Sequence, residues 1–367
     1  MDVKNDYNRT LTNIACSVEN YFGLPARHRT LPEIDEMLAK YHPRNVVVIL
    51  YDGMGANIMR RALRADDFFV KNTVCDLITV FPATTTAATT SIRTGLNPVE
   101  HGWLGWDMYY APIDETVTLF MDSLKGNPGH PCNDFINNKN YLYQNTVVEE
   151  LNQTKEVIAE ELFPFGNNCY SNLDEMLERA KKRTHEPGKH YIYAYDDQPD
   201  GTMHNTGCDS VQSRELIIER NKKTEEFASQ LHDTLLIVVA DHGHINCRHY
   251  YLADYPDVLD CLARTTSLEQ RATSFKIKKG RKGEFKKLFN KYFGKDFKLY
   301  SSSEVVESGL FGDGEENPLF RPALGDYIAL TETDACITGP DDEDLISNHA
   351  GYHEDEIFVP LIIKYCE

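Results

Sequence analysis

The chain has 367 residues and a hydrophobic fraction of 41%, enough to bury the core of one large α/β domain or of two domains. Its formal net charge of −19 argues against general binding to nucleic acid or to an anionic membrane surface. No run approaches the roughly 18 apolar residues of a membrane span. The nine cysteines are scattered without CxxC spacing, and the N-terminus lacks an apolar leader core. These features predict a cytoplasmic protein with reduced thiols.

Helical patterns alternate with short apolar runs along the chain. "RTLPEIDEMLAKYH" (29–42) is typical of an amphipathic helix, and "TTTAATTSIRTG" (84–95) of a helix that ends at Gly95. Further helical patterns lie near 171–183 and 209–231. Apolar runs rich in β-branched residues predict buried strands at 45–52, 76–82, 189–196, 234–241, 325–332 and 356–365. The alternation predicts an α/β fold with a mostly parallel central sheet and helices on both faces.

One segment differs from the rest in composition. Residues 276–298 contain nine lysines and one arginine against two acidic residues, a local net charge of +8. We expect 250–324 to form a lid inserted into a catalytic core of 1–249 and 325–367, with the chain returning to the central sheet at 325–332. The basic segment has two interpretations. It is either a solvated face of the lid or a rim that attracts phosphate to the active site.

Acidic and imidazole side chains follow four of the predicted strands. Ligands of open α/β sheets bind outside the carboxyl ends of the strands, so these side chains are candidates for a site. Carboxylate oxygens and imidazole nitrogens suit zinc, with manganese as an alternative. Each residue alone also has an ordinary interpretation, because aspartates often cap helices and single histidines are often structural. The candidates are Asp52, Asp200 with His204, Asp241 with His242, and His349 with His353.

The ordered set of motifs resembles the alkaline phosphatase superfamily, and within it the nucleotide pyrophosphatase/phosphodiesterase (type I phosphodiesterase) family. The motifs are "YDGMG" at Asp52, "VFPATTTAATTSIRTGLNPVEHG", "PDGTMH" at Asp200 and His204, "ADHG" at Asp241 and His242, and "NHAGYHEDEIFVPLI" at His349.

The resemblance implies two divalent metal ions, zinc or alternatively manganese, and a threonine nucleophile. One ion is held by Asp200, His204 and His349, and the other by Asp52, Asp241 and His242. The nucleophile is Thr85, three residues after Pro82, which also binds metal between the two sites. Thr84 and Thr86 are chemically identical, so only the distance from Pro82 selects Thr85.

The resemblance therefore implies a bimetal-dependent hydrolase of phosphate esters that acts on phosphodiester or pyrophosphate bonds through a phospho-threonine intermediate. A phosphomonoesterase or phosphomutase on the same scaffold is the alternative enzyme. A non-catalytic, metal-stabilised binding protein is the alternative from another class, although it has no need of Thr85.

Aromatic residues follow the nucleophile segment in "HGWLGWDMYY". Trp103 and Trp106 either bind the substrate by stacking on a flat group or pack beneath a loop. The expected partner is a small anionic phosphate ester, without a stable nucleic-acid complex or membrane association. The sequence contains no feature that predicts an oligomeric state.

Overall fold

The computed structural model describes residues 5–131, 145–166 and 169–367. Within these ranges the strands are β1 (Asn45–Tyr51), β2 (Thr73–Ile78), β3 (Asp107–Tyr110), β4 (Glu115–Thr118), β5 (Ser123–Leu124), β6 (Asn127–Pro131), β7 (Val157–Leu162), β8 (Lys189–Asp196), β9 (Thr234–Val239), β10 (Ile245–Asn246), β11 (Arg248–Tyr251), β12 (Ser267–Leu268), β13 (Ala272–Phe275), β14 (Phe297–Ser301), β15 (Tyr327–Thr331), β16 (Ala335–Thr338), β17 (Ser347–Asn348) and β18 (Phe358–Cys366).

The α-helices of the same ranges are α1 (Leu11–Tyr21), α2 (Pro32–Tyr41), α3 (Ala56–Ala62), α4 (Phe68–Asn72), α5 (Thr85–Thr94), α6 (Pro98–His101), α7 (Val147–Thr154), α8 (Leu173–Thr184), α9 (Asp200–Thr206), α10 (Val211–Ala228), α11 (Pro256–Leu259), α12 (Lys282–Tyr292), α13 (Ser302–Glu307), α14 (Phe320–Ala323) and α15 (Glu354–Ile357). None of the helices in the described part of the chain is both long enough and apolar enough to cross a membrane.

The central sheet has the strand order β2-β18-β9-β1-β8-β7. The strands β7, β8, β1 and β9 run parallel, and β18 is antiparallel to both β9 and β2. Every residue of β1 is buried, because helices such as α1, α3, α8 and α10 contribute to the same core as the sheet. The predicted α/β fold with a mostly parallel central sheet is therefore confirmed.

A second sheet of eight antiparallel strands has the order β14-β15-β13-β12-β3-β4-β5-β6. Residues 107–131 supply four of its strands and residues 267–301 supply three. The remaining strand, β15, corresponds to the predicted strand 325–332. The prediction that this segment returns to the central sheet is wrong, since β15 pairs with β13 and β14.

The burial of β15 explains the error. Ile328 and Leu330 belong to one apolar cluster, whereas Tyr327 and Ala329 belong to another on the opposite face of the strand. A strand that is buried on both faces has the continuous apolar pattern of a central parallel strand. The helix α12 lies in the basic segment, and it buries Phe285 and Phe289. The division of the chain into a core and a 250–324 lid stays a prediction.

Candidate active site

The site lies at one edge of the central sheet. Asp52 follows β1 directly, Asp241 follows β9, and α9 begins at Asp200 shortly after β8. Because β18 runs antiparallel to these strands, the segment that leads into it returns to the same edge and brings His349 there. Gly243 of the "DHG" motif allows this close approach, since a Cβ atom at that position would collide with the carbonyl oxygen of Asp355.

A first group of ligand atoms surrounds the Asp200 carboxylate. The Oδ1 atom of Asp200 lies 3.3 Å from Nε2 of His204, 2.5 Å from Nε2 of His244 and 3.9 Å from Nε2 of His349. All four residues offer ligand atoms within 4.8 Å of one another. The Nδ1 atoms of His204 and His349 donate to the carbonyl oxygens of Ser347 (2.8 Å) and Ala83 (2.9 Å). These bonds fix the ring orientations and leave each Nε2 for a metal.

A second group is formed by Asp52, Asp241 and His242. The Nε2 atom of His242 lies 3.3 Å from Oδ1 of Asp52 and 3.7 Å from Oδ2 of Asp241. The Oδ1 atom of Asp241 accepts hydrogen bonds from the backbone N–H groups of Gly53 (3.0 Å) and His242 (2.9 Å). Its buried Oδ2 atom has no hydrogen-bond partner among the described residues. A buried carboxylate oxygen without a donor fits a cation, so these residues suit a metal ion.

The pKa shifts of Asp52, Asp241 and His349 fit the same interpretation. Burial, together with the carboxylates of Asp241 and Asp200, raises the pKa of Asp52 well above its ordinary value. Burial also raises the pKa of Asp241. Burial lowers the pKa of His349, which favours the neutral imidazole, the form that binds metal. Divalent ions are often the largest charges of such a site, and here they would offset the repulsion between buried carboxylates.

Thr85 is the first residue of α5, and its hydroxyl contacts the second group. Its Oγ1 atom is 3.2 Å from Nε2 of His242 and 3.3 Å from Oδ2 of Asp52. The neighbouring Thr84 instead donates to the Glu269 carboxylate at 2.6 Å, and the side chain of Thr86 is fully buried. Thr85 is the threonine that the spacing from Pro82 selects, and of the three consecutive threonines it is the one whose hydroxyl contacts the candidate ligands Asp52 and His242. The first turn of α5 also directs backbone N–H groups toward this point.

A cavity of about 510 Å³ opens from Thr85 and the first group toward the second sheet. Trp106 lines this cavity, and 41% of its surface is exposed. Trp103 does not line it but packs on Phe120, with ring centroids 5.9 Å apart. The structure therefore brings only one of the two predicted substrate-binding tryptophans to the cavity wall. Residues 276–298, all of which are described, contribute no side chain to that wall.

Three residues of the site were missing from the sequence-based ligand set. His244 contacts Asp200, and its position two residues after His242 was a usable signal. Tyr195 donates a hydrogen bond from its hydroxyl to Oδ2 of Asp52. Glu269 accepts hydrogen bonds from the Thr84 hydroxyl and from the backbone N–H of Trp106 (2.7 Å). No local pattern marks Glu269, because its partners lie more than 160 residues away in the chain.

A parallel sheet whose edge combines two carboxylate–imidazole groups with a threonine at a helix N-terminus defines a protein of the alkaline phosphatase type. The chain belongs to the type I phosphodiesterase/nucleotide pyrophosphatase family, whose sequence profile matches residues 46–353. The family consists of phosphodiesterase and pyrophosphatase hydrolases that use two metal ions. The resemblance inferred from the motifs is confirmed. No curated protein matches the chain in sequence.

Solved structures share the fold. Murine ectonucleotide pyrophosphatase/phosphodiesterase 5, in an inactive threonine-to-alanine form in complex with AMP, has a TM-score of 0.66 at 15% identity over 86% of this chain and 87% of its own. A second structure of the murine protein, named without the substitution or AMP, has a TM-score of 0.64 at 16% identity. The match covers 86% of this chain and 87% of that one. The human protein has a TM-score of 0.63 at 16% identity over 87% of each chain.

Proposed function

We propose that the chain hydrolyses phosphodiester or pyrophosphate bonds with two divalent ions and a covalent phospho-threonine intermediate on Thr85. The observation that supports this most directly is the position of the Thr85 hydroxyl, within 3.4 Å of Asp52 and His242 at the N-terminus of α5. A threonine hydroxyl is a weak nucleophile near neutral pH and needs such an activating environment. The solved complex of a murine relative with AMP agrees with a phosphate ester as substrate.

The metal ions would be held by Asp200, His204 and His349, with His244 beside them, and by Asp52, Asp241 and His242. Zinc is the ion that these ligands favour, and manganese is the alternative. When bound, two such ions supply positive charge that steadies the attacking and leaving oxygens of an in-line displacement.

The protein residues do the rest of the chemistry. The Oγ1 atom of Thr85 forms a bond to phosphorus while the bond from phosphorus to the leaving alcohol breaks, and the alcohol takes up a proton. The first N–H groups of α5 donate to the phosphoryl oxygens, where the helix dipole favours negative charge. Tyr195 holds the Asp52 carboxylate by its hydrogen bond. Water then attacks phosphorus and releases Thr85 with its proton restored.

Two cavities favour a diester over a monoester. Besides the cavity that Thr85 lines, a second of about 400 Å³ is lined by Thr89, one turn further along α5, and by Tyr195, Phe163 and Phe165. A diester has two substituents to place, whereas a monoester has one. A phosphomonoesterase or phosphomutase on this scaffold is the alternative, and a non-catalytic metal-binding protein would not need the Thr85 hydroxyl where it lies.

We also propose a cytoplasmic location and a small-molecule partner rather than nucleic acid or membrane. The support is the net charge of −19 and the absence of disulfides among the described residues, whose eight cysteines are free. Subcellular fractionation of the expressed protein tests the location.

Rapid acid quenching with a ³²P-labelled diester tests the proposed mechanism. We expect label on the peptide that contains Thr85, and none in Thr85→Ala. Thr90→Ala is a matched control, because Thr85 and Thr90 lie on the same helix and each is 8% exposed. Turnover of Thr85→Ala at the wild-type rate would overturn the assignment. Faster hydrolysis of p-nitrophenyl phosphate than of bis-p-nitrophenyl phosphate would favour the monoesterase.

A further inference from the structure

The cavity in front of Thr85 has a strongly acidic wall beyond the metal-binding groups. Five carboxylates of this wall lie outside those groups, in the segments 107, 269 and 341–343. Among the described residues, Lys125 is the one lysine or arginine that lines the cavity. The carboxylates are those of Asp107, Glu269, Asp341, Asp342 and Glu343.

Lys125 offsets only part of this charge, and its donors are not free for an incoming anion. Its ammonium group lies 3.2 Å from Oδ2 of Asp107, 2.5 Å from Oδ1 of Asp342 and 3.0 Å from the carbonyl oxygen of Thr266. An ammonium group has three N–H donors, and these three acceptors occupy them. The side chain of Lys125 is only 4% exposed, so the group is fixed in this position. Burial raises the pKa of Glu269 to about 7, so this carboxyl is partly protonated near neutral pH. The other four carboxylates still outnumber the one ammonium group, and the net charge of the wall is negative.

Two buried hydroxyl groups at the same wall lack partners. Thr266 and Ser267 line the cavity and are each 3% exposed. Within residues 5–131, 145–166 and 169–367, neither hydroxyl oxygen has a hydrogen-bond partner. A buried polar group that stays unpaired costs about 1–3 kcal/mol, and a polar ligand would remove that cost. The two hydroxyl groups therefore place unsatisfied polar atoms close to the cavity.

Trp106 completes the wall with an exposed aromatic surface. Its ring packs edge-to-face with Phe120 at a centroid distance of 5.9 Å, and 41% of the residue remains exposed. The face of an indole attracts a cation within about 6 Å, and the attraction grows when the cation is desolvated. Carboxylates, free hydroxyls and an indole face together suit an ammonium group.

We propose that this cavity selects phosphodiesters in which one ester substituent carries a positive charge, and that it disfavours substituents with an additional negative charge. The inference deepens the proposed phosphodiesterase function and rests on it. The single charge of a diester would be offset by the metal ions, whereas a second phosphate in this cavity would face carboxylates only. Phosphodiesters with an ammonium-bearing substituent are therefore favoured over pyrophosphates.

Three matched substrates test the selection in the metal-loaded, full-length protein. They are p-nitrophenyl diesters whose second substituent is 2-aminoethyl, n-propyl or 2-carboxyethyl, so that size is nearly constant and only charge changes. We expect kcat/KM to be at least about 10-fold higher for the aminoethyl than for the propyl ester, and lowest for the carboxyethyl ester. Added salt should reduce the differences in kcat/KM among the three diesters, because it screens the charges.

A pair of double variants separates the local wall from the charge of the whole protein. Asp341 and Glu343 are exposed at the cavity, and Asp341→Asn with Glu343→Gln should reduce the aminoethyl-to-propyl ratio at least about 3-fold. Glu225 and Glu226 are exposed on α10, away from the cavity wall. Changing both to Gln removes the same two charges and should leave the ratio unchanged.

The outcomes distinguish this inference from the function on which it rests. If none of the three diesters is hydrolysed by the metal-loaded protein, the proposed function is wrong. If all three are hydrolysed with equal kcat/KM, or the carboxyethyl ester is fastest, the function stands and the charge selection is wrong. An equal fall of the ratio in both double variants would assign the preference to the net charge of the protein, which also overturns a role for the wall.

Discussion

The imidazole rings of His242 and His349 stack on each other, with centroids 3.7 Å apart and planes inclined by 18°. The two residues are expected to bind different metal ions, so the two candidate metal sites share a wall. His349 is held from behind by the Ala83 carbonyl, and His242 by the carbonyl of Gly243 at 3.1 Å. Loss of either ring therefore removes a packing surface from the other.

The stacked rings lead to a prediction about metal content. His349→Ala should lose one metal equivalent and weaken binding of the second, because His242 loses its packing partner. Asp241→Asn keeps the Oδ1 acceptor for the Gly53 and His242 backbone groups but replaces the unpaired Oδ2, so it should lose the other equivalent with the fold intact. Elemental analysis after dialysis measures both. Two equivalents in both variants would refute the ligand assignment.

A second prediction concerns the hydroxyl of Tyr195, which donates to Asp52. Tyr195→Phe should weaken metal binding at the Asp52 group by about 10–100-fold, the usual cost of losing a hydrogen bond that orients a ligand. Tyr193→Phe is the control, since Tyr193 lies on the same strand and its buried hydroxyl has no partner among the described residues. Competition with a chromogenic chelator measures the affinities. Equal affinities in both variants would contradict the orienting role.

A third prediction concerns a buried ion pair. Nε and Nη2 of Arg271 donate to the Glu356 carboxylate at 2.7 and 2.6 Å, and both side chains are fully buried. Glu356→Gln should lower the free energy of unfolding by about 3–5 kcal/mol, because it leaves a buried guanidinium without its counter-charge. Asp76→Asn, which breaks an exposed pair with Arg60, should cost less than about 1 kcal/mol. Urea denaturation measures the free energy of unfolding of both variants. Similar losses in Glu356→Gln and Asp76→Asn would contradict the larger role of the buried pair.

The fourth prediction concerns pH and Glu269, whose pKa is raised by burial to about 7 from an ordinary value near 4.5. The folded protein then binds a proton that the unfolded chain releases between these values, so this carboxyl favours folding below about pH 4.5 and the benefit is lost as pH rises through 7. The wild type should therefore lose stability between pH 5 and pH 8 through this carboxyl, whereas Glu269→Gln should not. The free energy of unfolding of Glu269→Gln, relative to that of the wild type, should be higher at pH 8 than at pH 5. Glu343→Gln, at an exposed position, is the control, and thermal melts at both pH values measure the difference. If the stability difference between Glu269→Gln and the wild type were the same at both pH values, the raised pKa of Glu269 would be contradicted.

Local sequence patterns predicted several residues that the structure brings together at the site, because the strand ends that carry them are determined locally. A buried parallel strand ends at a fixed edge, so aspartates that follow β1 and β9 had to meet there. The stacking of His242 on His349 was not predictable in this way. The stacking depends on β18 running antiparallel to β9. An apolar run predicts a strand but does not indicate its direction in the sheet.

The second sheet marks the limit of such reasoning. Its strands are short, and they pair residues far apart in the chain, such as Leu268 with Asp107. Strands this short contain too few residues to show a recognisable alternation of apolar and polar side chains. Two acidic residues of the cavity wall, Asp107 and Glu269, lie on or beside strands of this sheet, whereas those of 341–343 lie between β16 and β17. Local composition marks the basic segment 276–298, but it does not predict that these distant carboxylates meet at one cavity.

The position of β18 has a consequence for biosynthesis. Its neighbours in the sheet are β2 and β9, and within the described ranges β2 has no other partner strand. About 280 residues separate Ile78 from Phe358, which at ribosomal speeds of about 5–20 residues per second corresponds to roughly 15–55 seconds. During that interval β2 lacks the strand with which it pairs, and β9 has one open edge from the time it is synthesised. The nascent chain thus presents unpaired backbone to its surroundings, and it is in this period that chaperones would be needed to prevent association between chains.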